Sequence, residues 1–139
     1  RLKRIASRET RHGKPLLSDP LFSAKLARLE AELMALEITN LRVLAAEAEK
    51  RSPGPEVSIL KIKGSEIQQS LTELMMLAVG SAAIPFQRDW INAGWQAQAP
   101  VAPWAIPLGA AYLNMRKTTI YGGSNEIQRN IISQMVLGL

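Results

Sequence analysis

In DPLFSAKLARLEAELMALEITNLRVLAAEAEK, residues 19–50, apolar side chains recur at Phe22, Leu26, Leu29, Leu33, Leu36 and Val43, with Asn40 as the polar member of the series. The steps alternate between four and three, which places the series on one face of a helix. Asp19 offers a side-chain oxygen to the free N–H groups of the first turn, and Pro20, which has no donor, suits the first helical position. The pattern predicts one long helix ending near Lys50. Asn40 fixes packing register more readily than it does chemistry.

Working outward, Ser52-Pro53-Gly54-Pro55 stops that helix and a second stripe follows at Leu60, Gly64, Ile67, Leu71, Leu74 and Ala78. The small Gly64 and Ala78 predict close helix contacts, and the helix is expected to end near Gly80. Two long helices joined by a short turn form the repeating unit of a helix bundle. Residues 81–107 carry Pro85, Gly94, Pro100, Pro103 and Pro107 among Trp90, Trp95 and Trp104, the mark of a loop pinned down by aromatic anchors. Residues 108–118 resume a helical pattern. Ser124 then caps a short helix with an apolar face at Ile127, Ile131 and Met135, ended by Gly138. Upstream, residues 1–11 read as helix, broken by Gly13-Lys14-Pro15. No strand-like alternation of useful length occurs, so the expected class is all-α.

Composition bounds the function. A chain of 139 residues fits one domain, and the absence of cysteine excludes disulfides, thiolate metal sites and cysteine nucleophiles. No apolar run reaches the roughly 20 residues that span a bilayer, and nothing reads as a signal peptide, which leads to a cytoplasmic expectation. Opening on Arg1 within helical sequence, the chain is expected to be a piece of a longer protein. Of the net charge of +5, residues 1–28 contribute +6, from eight Lys/Arg against Glu9 and Asp19. No aromatic platform accompanies this basic stretch, which argues against nucleic acid. A solvated helix end or the phosphates of a cofactor or CoA ester fit it better.

His12 is the only histidine, so a histidine metal cluster is excluded, and Ser18-Asp19 makes no triad with it. Ser58-x-x-Lys61 matches one β-lactamase motif, but Lys117-Thr118-Thr119 lacks the glycine of its companion. Glu30 and Glu37 fall on the outward face of the long helix. One segment remains, Ile120-Tyr121-Gly122-Gly123-Ser124-Asn125-Glu126-Ile127-Gln128-Arg129-Asn130-Ile131-Ile132. Two glycines allow close backbone approach, and the capped helix start behind them favours an anion. A plain turn between helices with a good cap explains the same residues.

Tyr121-Gly122-Gly123-Ser124-Asn125-Glu126-Ile127-Gln128-Arg129-Asn130-Ile131-Ile132, closing with Val136-Leu137-Gly138-Leu139, resembles the C-terminal signature of the acyl-CoA dehydrogenase family. Leu60-Lys61-Ile62-Lys63-Gly64-Ser65-Glu66 and Leu113-Asn114-Met115-Arg116-Lys117 support the resemblance, which covers essentially the whole chain. It implies an up-and-down four-helix bundle, without the family's N-terminal helical and middle β domains. It also implies FAD as cofactor, an acyl-CoA substrate oxidised to trans-2-enoyl-CoA, electron-transfer flavoprotein or a similar acceptor, and a homo-oligomer, dimer or tetramer. In many members the catalytic base is a glutamate directly after the signature tyrosine; here Gly122 stands in that place and has no side chain. Some members with glycine there carry the glutamate on the first long helix of the domain, of which residues 1–11 would be the end; Glu9 lies in the wrong turn.

By position, the resemblance places Gly123 against the thioester and Ser124 and Glu126 against FAD. It implies no metal ligand. The family also reaches the FAD of a neighbouring subunit through an Arg-x-x-Phe-Gly pattern and a glycine pair after the third helix. This chain departs from both: Arg8 and Arg11 precede Gly13 at altered spacing without the Phe, and Val79-Gly80-Ser81 keeps one glycine. Arg8 and Gly80 are the corresponding candidates. Three readings stand side by side: a dehydrogenase with its base elsewhere, a non-catalytic subunit of a hetero-oligomeric dehydrogenase, and a helical assembly module.

Overall fold

A computed structural model describes residues 1–86, 88, 92 and 101–139. Trp90, Gly94, Trp95 and Pro100, expected in the long loop, lie outside the described residues. The helices are α1 (Leu2–Ala6), α2 (Pro20–Ala48), α3 (Glu56–Val79), α4 (Ile106–Met115) and α5 (Asn125–Leu137), with short 3-10 turns at Leu16–Ser18, Gly80–Ala83 and Arg116–Thr119. The class is all-α. The strand pairing among the described residues is a minimal hairpin of β1 (Thr10–Arg11) and β2 (Lys14–Pro15), antiparallel with Arg11 opposite Lys14.

That hairpin corrects the helical reading of residues 1–11. His12 and Gly13 both take positive φ, 53° and 75°. Two left-handed residues between paired strands match the tight turn whose twist suits a hairpin. Asp19 caps α2 as expected, its Oδ1 accepting from the N–H groups of Leu21 at 2.9 Å and Phe22 at 3.2 Å. At the other end Lys50 adopts φ 58°, and the Arg51 N–H reaches back to the Ala46 carbonyl at 3.0 Å, so α2 closes two residues before Lys50.

The chain divides into two compact units. The first comprises Arg1–Leu26 and Leu71–Arg116. It buries Leu2, Ala6, Leu16, Phe22, Leu26, Leu74, Ala105, Ile106 and Leu108, a conventional apolar core. The hairpin is pinned by Arg11, which donates to the Leu77 carbonyl at 3.2 Å and pairs with Asp19 at 3.7 Å. Arg116, stacked 4.4 Å from the Tyr112 ring centroid, ties the end of α4 to Thr72 of α3 at 3.4 Å.

The second unit, Ala27–Ser70 and Lys117–Leu139, is built differently. Its buried apolar residues are Leu29, Ile62 and Ile67, and it also buries Ser58, Ser65, Thr118 and Asn125. The apolar stripe of α2 therefore fades along the helix: Leu33 is 42% exposed, and Met34, Ile38, Leu41 and Leu44 are exposed beside it. Asn40 is exposed as well, so it sets no register within this chain. The expected apolar face of α5 also points outward at Ile127 and Met135. Gly64 does not mark a close helix contact, because a Cβ there meets nothing within 4 Å. Helical spacing finds a face; it does not say which neighbour covers it.

The close backbone approach is instead at Gly109 on α4, where a Cβ would stand 2.2 Å from the Ala83 carbonyl oxygen. Alanine there gains up to about 1 kcal/mol in helix propensity. Overpacking against backbone costs about 1–3 kcal/mol, so the clash outweighs the gain. Gly109→Ala is expected to lower the melting temperature in a calorimetric scan, whereas Gly64→Ala, with open space and the same propensity gain, is expected to raise it.

Candidate functional site

The Arg116–Thr119 turn leads into Tyr121, and the chain reverses through two consecutive left-handed glycines, Gly122 at φ 67° and Gly123 at φ 81°. A side chain in this region costs about 1–2 kcal/mol per residue, which is the physical reason for the pair. A Cβ on Gly122 would meet nothing within 4 Å; one on Gly123 would meet the end of the Gln128 side chain. The need at both positions is therefore conformational first. The turn opens on a shallow hollow of about 280 Å³ lined by Leu60, Lys61, Gly64, Ser65, Gln68, Thr118, Tyr121 and Gly122.

Ser124 is the N-cap of α5, with φ −63° and ψ 158°, its hydroxyl accepting from the Ile127 N–H at 3.4 Å. Glu126 is exposed and folds back over the same helix start. Its own N–H and the Ser124 hydroxyl, with smaller help from Arg129 and Lys61, hold its carboxyl below the usual carboxylate range. Gly122, Gly123, Ser124 and Glu126 thus sit together on one turn. Arg8 and Gly80 belong to the other compact unit. Arg8 lines an open hollow with Arg1, Arg4, Ile5, Glu9 and Trp104, and Gly80, at φ 69°, opens the 3-10 turn after α3.

Behind the turn lies a polar cluster that was not predicted. Lys61 Nζ donates to Asn125 Oδ1 at 2.7 Å and lies 3.4 Å from the Thr119 carbonyl. Asn125, 3% exposed, donates through Nδ2 to Ser65 Oγ at 3.1 Å, and Gln69 Nε2 reaches Thr118 Oγ1 at 3.4 Å. Further along, Glu66 pairs with Arg129 at 3.5 Å and with Lys63 at 2.9 Å, and that carboxylate raises the Lys63 ammonium above its ordinary value. Lys61, Ser65 and Gln69 form one stripe at i, i+4 and i+8, which is present in the sequence. A polar stripe on a helix is solvated by default, so only the fold reveals that this one is covered.

The glycines leave the approach free of side chains, while at the helix start the Ile127 N–H is taken by Ser124 Oγ and the Glu126 N–H by its own carboxylate. Glu126, ionised and acceptor-only, fits a ribose hydroxyl or an amino group better than a phosphate.

Two outcomes are expected from this geometry. Gly122→Ala lowers stability by about 1 kcal/mol although the space is open, measurable by denaturant unfolding. Glu126→Gln removes a carboxylate whose folded pKa is depressed. Such a group stabilises above its unfolded pKa, and the contribution is lost as pH falls through the lower folded value. The wild type is therefore more stable at neutral pH, and the two melting curves converge on acidification.

Residues 1–137 match the family described as acyl-CoA dehydrogenase, C-terminal domain. Acyl-CoA dehydrogenase IpdE1 of Mycobacterium tuberculosis is 33% identical over 121 residues, covering 87% of this chain and 27% of that protein. The long-chain specific acyl-CoA dehydrogenase of rat mitochondria is 24% identical over 125 residues, covering 90% of this chain and 25% of that protein. Among solved structures, the ChsE4-ChsE5 complex from Mycobacterium tuberculosis superposes with a TM-score of 0.74 at 24% identity, over 99% of this chain and 33% of that one. The Tcur3481-Tcur3483 steroid ACAD gives 0.73 at 20% identity, over 99% of this chain and 33% of that one. The chain thus spans about a quarter of the length of the curated relatives it matches. It belongs to the acyl-CoA dehydrogenase family and corresponds to that family's C-terminal domain.

Proposed function

We propose that the whole protein is an FAD-dependent acyl-CoA dehydrogenase that oxidises an acyl-CoA thioester to the trans-2-enoyl-CoA and passes electrons to electron-transfer flavoprotein or a similar acceptor. The observation that carries this reading is the pair of left-handed glycines opening onto the Ser124-capped helix, in a chain of this family. When bound, the flavin accepts the β-hydrogen as hydride. Gly123 presents bare backbone to the thioester end of the substrate. Ser124 and Glu126 hold the adenosine side of the cofactor, with Arg8 and Gly80 as the candidates for contacts across a subunit interface. The exposed apolar side chains of α2, among them Met34, Ile38 and Leu41, support assembly into a homodimer or homotetramer. No helix among the described residues is long and apolar enough to cross a membrane.

Gly122 takes no proton. At φ 67° a side chain there is strained, so this turn is shaped for glycine. In the proposed reading the α-proton is taken by a glutamate on the first long helix of the domain. A specific observation favours a second reading: Gly122 offers no base, and Val79-Gly80-Ser81 keeps only one glycine of the pair. Under that reading this chain is a subunit that lacks the base and completes a site in a hetero-oligomer.

The two readings separate on purification of the full-length protein. Stoichiometric flavin absorbance from the protein alone, bleached anaerobically by one of a panel of acyl-CoA thioesters, is the outcome expected of the enzyme. Flavin retained only on co-expression with a second dehydrogenase chain selects the subunit. Absence of flavin under both conditions overturns both.

A further inference from the structure

The stripe on α3 grips the glycine turn from both sides. On the entry side, Lys61 lies 3.4 Å from the Thr119 carbonyl and Gln69 reaches Thr118. On the exit side, Lys61 and Ser65 hold the Asn125 side chain at 2.7 and 3.1 Å. Only Ile120, Tyr121, Gly122, Gly123 and Ser124 lie between these anchors.

Among the contacts described, Lys61 reaches both sides. Glycine has the largest conformational freedom of any residue, so two adjacent glycines hold one left-handed geometry more persistently when the ends of their segment are fixed. A bridge between residues 119 and 125 supplies that constraint. The contact at 2.7 Å is charge-assisted, the stronger class of hydrogen bond, and it is made to a side chain with 3% exposure, where competing water is scarce. Lys61 also lines the hollow onto which Gly122 opens.

We propose that Lys61 is the positioning residue of the turn: its ammonium ties Thr119 to Asn125 and holds Gly122–Gly123 in the geometry that receives the flavin. The flavin clause rests on the function proposed above; the bridge itself does not. Lys61 touches neither cofactor nor reacting atoms in this role. It acts through the backbone of the turn and through the start of α5.

The test uses the full-length protein, with its partner chain if one is required. Lys61→Met keeps the aliphatic stem and removes charge and donor, and Lys61→Arg keeps both. Hydrogen–deuterium exchange by mass spectrometry reads peptides over residues 119–126, and FAD titration of the deflavinated protein reads affinity. Lys61→Met is expected to speed exchange in that segment about tenfold and to weaken FAD about tenfold, with exchange in the first unit unchanged. Lys61→Arg is expected to recover most of both. Wild-type exchange over residues 119–126 in Lys61→Met overturns the proposal. So does loss in Lys61→Arg equal to that in Lys61→Met, which would mark a purely steric requirement for lysine. If Lys61→Met gives no folded protein, Lys61→Arg decides: near-wild-type exchange and FAD affinity uphold the bridge, and loss of either sinks it. If the wild type binds no FAD, the proposed function fails while the exchange comparison still decides the bridge.

Discussion

Asn125 is the first residue of α5, yet its side chain is more deeply buried than any apolar residue of that helix, and what buries it is Lys61 and Ser65. Much of the second unit follows from this contact. A buried amide left without partners costs about 1–3 kcal/mol, so the register of α5 against α3 is fixed by the need to satisfy it. Two of the stretches that carry the family resemblance meet here. Lys61 and Ser65 come from one, Asn125 from the other, and Glu66 with Arg129 adds a second tie.

The sequence was legible where the determinant is local. Asp19 before Pro20, Ser124 before α5 and Gly138 at φ 69° behind it each act within a few residues, and each does what its residue type suggests. The hairpin was missed because its turn uses His12 in a left-handed conformation, a choice that nothing in a basic helical-looking stretch announces. Burial was legible only in part. Phe22, Leu26 and Leu29 are covered, Leu33 is exposed and Leu36 and Val43 are half-buried, although the same spacing generates them all. Periodicity describes a surface of the helix, and the surface opposite it is contributed by other elements.

The glycine turn was legible as a family mark and less so as chemistry. Reading Gly122 as an absent base is a statement about a missing side chain. The backbone adds that the position has a conformation of its own, which a side chain would strain. The Glu126 carboxyl likewise changes meaning in context. On the page it is an acid beside a cap; in the fold its own N–H and Ser124 favour the ionised form.

The contrast between the two units has a thermal consequence. Heat capacity of unfolding rises with apolar surface exposed and falls with polar surface exposed. The first unit buries leucines, isoleucine and phenylalanine, whereas the second closes largely over serine, threonine, asparagine and lysine while leaving much of its apolar surface already in water. Local opening of the second unit therefore carries a small heat-capacity change, and its free energy varies almost linearly with temperature. The first unit has the curved profile of an apolar core, weakening in the cold as well as in the heat. On cooling, the first unit therefore loses more of its apolar stabilisation than the second.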